Sequence, residues 1–151
     1  LGFLGTPDRE RSLHRALQAA RRGVELDPEN PYAHHALAAV FIGSGEVERS
    51  LRAAQQSVKL NPNFALGWCQ CGASTLQCRT PEEAIESLER GLRLSPFDRQ
   101  NFVWLLMLAW SYGLSGQANK GVATIRKAQD LRPDWSSGLK TLAVTALAAV
   151  E

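Results

Sequence analysis

The chain has 151 residues, 44% of them hydrophobic, with a formal charge of +2, enough apolar material for one core and no need of disulfide staples. Acids and bases alternate from Asp8 to Asp134 without a basic block, which argues against a nucleic-acid partner. The longest apolar run, Phe102 to Trp110, falls well short of the ~18 residues a membrane helix needs.

Three cysteines suit a reducing compartment better than a disulfide framework, and no charged-then-apolar leader opens the chain, so the expected location is cytoplasmic. The chain starts at Leu1 and stops at Glu151 in mid-pattern, so the expectation is a fragment of a longer protein.

In chain order, a helix is expected over about Pro7 to Glu25, ending at "ELDPEN". That hexamer recurs as "KLNPNF", "RLSPFD" and "DLRPDW", with prolines at Pro28, Pro62, Pro96 and Pro133 and spacings of 34, 34 and 37. A period near 34 marks an array of units that cannot bury their apolar faces alone. Five residues before each proline stand Gly23, Ser57, Gly91 and Ala128; twelve before stand Ala16, Ser50, Ala84 and Gly121. These small residues predict close helix approach. Leu26, Leu60, Leu94 and Leu131, with Ala20, Ala54, Leu88 and Ile125, complete an apolar stripe of helical spacing on the second helix of each unit.

The first helices carry Leu37, Ala38 and Phe41, then Cys71, Gly72 and Thr75, then Leu108, Ala109 and Tyr112. Turn signals at 43–48, 79–83 and 114–119 separate first from second helices. Thr80-Pro81-Glu82-Glu83 reads as a capping box that starts a helix at Pro81.

These residues resemble the tetratricopeptide repeat. Trp68, Gly72, Ala84 and Pro96 match its signature in one unit, and Leu37, Gly45 and Pro62 in the unit before. The resemblance runs from Ser12 to Ala149 and implies an all-α, right-handed α-solenoid of antiparallel helix pairs: a lone second helix (7–30), full repeats over 31–64, 65–98 and 99–135, and an unpaired first helix (136–151). It departs at His34 where Trp is usual, at Cys71 where Leu is usual, and at the 37-residue spacing, which is expected to lengthen the third first helix by about one turn.

Chemistry-bearing residues are scattered. Cys69 and Cys71 lie ~200° apart on a helix, and Cys71 and Cys78 stand ~10.5 Å apart along it, so no zinc clamp forms and no metal or other cofactor is expected. Cys71 reads as core, Cys78 as packed near a helix end and Cys69 as surface; His34 reads as packed and His35 as outward. Gly43-Ser44-Gly45 lacks the Lys and Ser/Thr of a phosphate loop, and no Ser/His/Asp motif is arranged for nucleophilic catalysis, so no enzyme is expected.

The tetratricopeptide resemblance implies a non-catalytic protein-interaction scaffold. Its concave groove would be lined by Tyr32, His35, Ala39 and Ile42, by Leu66, Cys69, Ala73 and Leu76, by Val103, Leu106 and Trp110, and by Ser137, Lys140 and Val144. Only Lys140 could serve a carboxylate clamp, so the expected partner is a helical or apolar protein segment, with no membrane or nucleic acid involved. More loosely, the opening run and the stretch "RLSPFDRQNFVWLL" look like the carboxy-terminal repeat region of bacterial adenylate/guanylate cyclase-like signalling proteins, which implies a regulatory or recruiting role. Two alternatives remain. One is a self-association module, forming a homodimer through Leu139, Leu142, Ala146, Leu147 and Val150; the other is an RNA-binding helical repeat, disfavoured by the near-neutral charge.

Overall fold

The computed structural model describes residues 7–133. These form seven helices and no strand: α1 (Pro7–Leu26), α2 (Pro31–Gly43), α3 (Val47–Leu60), α4 (Ala65–Cys78), α5 (Pro81–Leu94), α6 (Asn101–Leu114) and α7 (Ala118–Leu131). Lys140 and the proposed self-association residues Leu139, Leu142, Ala146, Leu147 and Val150 lie outside the described residues.

Local chemistry sets the helix ends. Thr80 caps α5 by accepting from the Glu83 N–H, and Pro81 occupies the first turn, where its missing N–H costs nothing. Asn30 does the same for α2, accepting from Tyr32 N–H at 2.9 Å and Ala33 N–H at 3.4 Å. At the other end of α2, Gly45 at φ +82° lets the Glu46 N–H reach the Phe41 carbonyl and close a Schellman turn. Gly116 at φ +75° repeats the device after α6, with Gln117 N–H on the Tyr112 carbonyl.

The long third spacing is resolved differently from the sequence expectation. α6 has 14 residues, the same as α4, so the first helix is not lengthened. The additional residues form a second turn in the linker. Asn30 N–H bonds Asp27 O and Phe64 N–H bonds Asn61 O in the shorter linkers; Asp98 N–H bonds Ser95 O in the same way, and Asn101 N–H then bonds Asp98 O to make the added turn. Asp98 Oδ1 accepts from Gln100 N–H at 2.8 Å and Asn101 Nδ2 donates to Ser95 O at 2.6 Å, so side chains satisfy the linker's polar groups and no helical extension is required.

Helices pack in succession, each on the next. One apolar cluster joins Ala38 and Phe41 of α2 to Ala53, Ala54 and Val58 of α3 and Cys71 of α4. A second joins Leu88 of α5 to Leu108 and Tyr112 of α6, and a third joins Leu106 of α6 to Ala128 of α7. The small residues act as the period predicts. A Cβ on Gly72 would meet Leu88 Cγ at 2.5 Å and the Ala84 carbonyl at 3.0 Å, and one on Gly91 would meet the Ala65 carbonyl at 2.8 Å. Leu88 is fully buried in the notch this opens, a burial that stabilises by about 1.5–3 kcal/mol.

Candidate functional site: the layer of first helices

Packing between units is asymmetric. α2 touches α4 and α4 touches α6, whereas neighbouring second helices do not meet among the described residues. Clefts open between them instead: about 560 Å³ beside Leu51, Val58, Trp68 and Arg90, between α3 and α5, and about 320 Å³ beside Leu92 and Leu131, between α5 and α7.

Composition divides the same way. Asp, Glu, Lys and Arg make up 21% of the chain, yet α2, α4 and α6 contain none of them; among the described residues the charges sit on α1, α3, α5, α7 and the linkers. A helix that is uncharged all round is normally buried. These three are only partly so. Tyr32 is 62% exposed and Trp110 38%, Ala39 is open, and Ile42, Leu66, Leu76 and Val103 are half-buried. Cys69, Ala73 and Leu106 are buried and offer no accessible surface.

Cys69 therefore corrects the expectation of a surface cysteine. α4 is packed on both flanks, with Cys71 against the α2–α3 cluster and Cys69 against Gly91 of α5, so opposite faces of one helix are both covered. Burial pushes both thiols up to about 12, with Asp98 adding to the effect at Cys69. Cys78 is half-buried, donates to the Ser74 carbonyl at 3.2 Å, and is also raised by burial.

The two histidines also part ways. His34 packs, as its sequence position suggests, and its Nε2 lies 2.8 Å from the Pro28 carbonyl. Trp68, one repeat later, donates its indole N–H to the Pro62 carbonyl at 2.9 Å, so His34 takes the place of the usual tryptophan in kind. His35 is not fully outward. Its ring sits edge-on to Phe64 at 5.6 Å, and burial lowers its pKa. Polar satisfaction is least complete on this layer: His35 Nδ1, Gln70 Nε2 and Trp104 Nε1, one on each first helix, are buried without a partner among the described residues.

A buried hydroxyl chain ties the first two repeats together. Ser74 Oγ lies 2.8 Å from Ser50 Oγ, which donates to the Ala38 carbonyl at 2.8 Å, and both serines are completely buried. Tyr112 O–H donates to Glu89, fastening α6 to α5; burial first and this bond second push its phenol to about 12.

No family model matches the chain. A peroxisomal targeting signal receptor of Candida glabrata is 31% identical over 97 residues, which is 61% of this chain and 16% of the receptor. Tetratricopeptide repeat protein 33 of Xenopus laevis is 26% identical over 130 residues, 86% of this chain and 48% of that protein. The chain thus spans less than half the length of these relatives. The crystal structure of a thermophilic TPR protein in Thermus thermophilus superposes with a TM-score of 0.71 over 90% of this chain and 73% of that one, at 20% identity, a likeness of fold. Their names are those of a targeting-signal receptor and of tetratricopeptide-repeat proteins. With seven helices, no strand among the described residues and these neighbours, the chain is an all-α helical-repeat solenoid of tetratricopeptide-like build.

Proposed function

We propose that the array is a protein-interaction scaffold whose binding face is the layer of first helices, α2, α4 and α6. One observation carries the reading: three adjacent helices hold no charged side chain, yet keep Tyr32, Ile42, Leu66, Leu76 and Trp110 accessible. Solvent-facing helix surface ordinarily carries charge, as α3, α5 and α7 do here. An uncharged, partly open layer suits a helical or apolar segment of a partner. Contact among first helices, with clefts between second helices, supports a curvature that turns the uncharged layer inward as a groove. A relative named as a targeting signal receptor supports recognition of a protein segment. The likeness of the opening run to cyclase-like signalling proteins supports a recruiting or regulatory role in a bacterial signalling protein.

Selection from a random peptide library with the purified chain as bait tests this reading. Enriched sequences are expected to be rich in apolar residues and to lose binding when Leu76→Glu puts a charge into the layer. Enrichment of sequences that bind the Leu76→Glu variant equally well would refute it.

A further inference from the structure

At the linker end of the uncharged layer lies a cavity of about 330 Å³ whose walls include Tyr32, Asn63, Phe64, Leu66, Leu94 and Asp98. Tyr32 is held in place: its ring packs on Phe64 with centroids 4.5 Å apart, while most of it stays open. Asp98 is half-buried, no Lys or Arg lines the cavity, and Asp98 forms no ion pair among the described residues. Among the described residues, the one hydrogen-bond partner of its carboxylate is the Gln100 N–H on Oδ1.

We propose that this cavity receives a lysine or arginine side chain from a peptide lying along the first helices, an inference that rests on the binding face proposed above. The methylene stem packs against Leu66, Leu94 and the Tyr32 ring, and the cationic head meets the Asp98 carboxylate at the mouth. Two features select a cation independently. Among the described residues the carboxylate has no cation of its own, and the tyrosine offers a ring face to which ammonium and guanidinium groups are attracted. An apolar side chain would cover Asp98 without pairing it, which costs free energy, and an acidic one would meet like charge. The charge of Asp98 reaches the floor of the layer, where it contributes to the raised pKa of Cys69.

The test uses the whole chain and the amidated host peptide Leu-Leu-Ala-Xaa-Ala-Leu-Leu, with Lys, Gln or Glu at Xaa, titrated at low salt. The Lys peptide is expected to bind about fivefold tighter than the Gln peptide, and the Glu peptide weakest. Asp98→Asn keeps the oxygen that accepts from Gln100, so the fold is retained; it is expected to remove the preference for Lys over Gln. Equal affinity of Lys and Gln peptides for the parent, or a Lys preference that survives Asp98→Asn, overturns the cavity proposal and leaves the binding face standing. Binding by none of the three peptides overturns both.

Discussion

Trp68 gives its indole N–H to the carbonyl of Pro62, and 34 residues earlier His34 stands in the same relation to Pro28. Each bond pins the start of a first helix to the turn before it. Trp68 is also covered by the Arg90 guanidinium, 4.0 Å above its ring. Trp68→Phe is expected to cost about 0.5–1.5 kcal/mol from the lost hydrogen bond, and His34→Phe a similar amount. The two losses should add, because the sites lie in different repeats and share no partner. Urea unfolding of the single and double variants checks this, and strong coupling between them would contradict it.

Glycines separate into three classes with distinct signatures. Gly72→Leu drives its side chain into Leu88 and the Ala84 carbonyl and should cost ~1–3 kcal/mol or more. Gly116→Ala meets nothing within 4 Å, but its φ of +75° strains any side chain, for about 1–2 kcal/mol. Gly23→Ala is expected to be tolerated, since its nearest neighbour, Ala33 Cβ, would lie at an ordinary 3.6 Å. Thermal melts of the three variants rank them, and a Gly72→Leu protein that melts with the parent would break the assigned packing of α4 on α5.

The buried hydroxyl chain makes a coupling prediction. Ser50→Ala strands the Ser74 hydroxyl in the interior, at about 1–3 kcal/mol. Adding Ser74→Ala removes the stranded group, so the double variant should be destabilised by less than the sum of the two single changes. A double-mutant cycle by denaturant titration measures the difference; simple additivity would mean that the two hydroxyls do not interact.

Stability should fall on both sides of neutrality. Cys69 and Cys71 ordinarily ionise near 9 and are held to about 12 in the folded chain. Between pH 9 and 12 the unfolded chain has therefore lost protons that the folded chain keeps, and stability falls as pH rises. Tyr112, raised from 10 to about 12, acts in the same direction. His35 is lowered from 6.5 by burial, so below that pH the unfolded chain binds the proton more readily and stability falls as pH falls. Replacing both buried cysteines by Ala should make the alkaline limb shallower, leaving the part due to Tyr112, without moving the acid limb, as read from unfolding midpoints across the pH range.

The repeat was legible because its marks are local: the prolines, the small residues that precede them, and the Thr80–Glu83 capping sequence each act through nearby backbone. Gly72 could be assigned to a close helix contact from register alone. What escaped depends on neighbours. Helical periodicity separates Cys69 from Cys71 correctly, but it cannot reveal that α4 has a packed partner on each flank. The third linker misled because three residues inserted near a helix start fit a longer helix as well as a second turn; the deciding bonds, from Gln100 N–H to Asp98 and from Asn101 to Ser95, involve side chains. Asp98 and Tyr32, 66 residues apart, line one cavity only because adjacent repeats stack there. The absence of charge in α2, α4 and α6 was readable all along, once the helix limits were known.

The central claim is that first helices bind and second helices do not, and the third repeat offers a matched comparison. Trp110 on α6 and Val122 on α7 are nearly equally exposed, at 38% and 36%. An apolar peptide enriched on the parent chain is titrated against Trp110→Glu and Val122→Glu, each first shown to fold by its helical content and cooperative melt. The account predicts a loss of at least about tenfold in affinity for Trp110→Glu, as for an aromatic anchor, and no change beyond about twofold for Val122→Glu. Loss at Val122 with binding intact at Trp110 would contradict it.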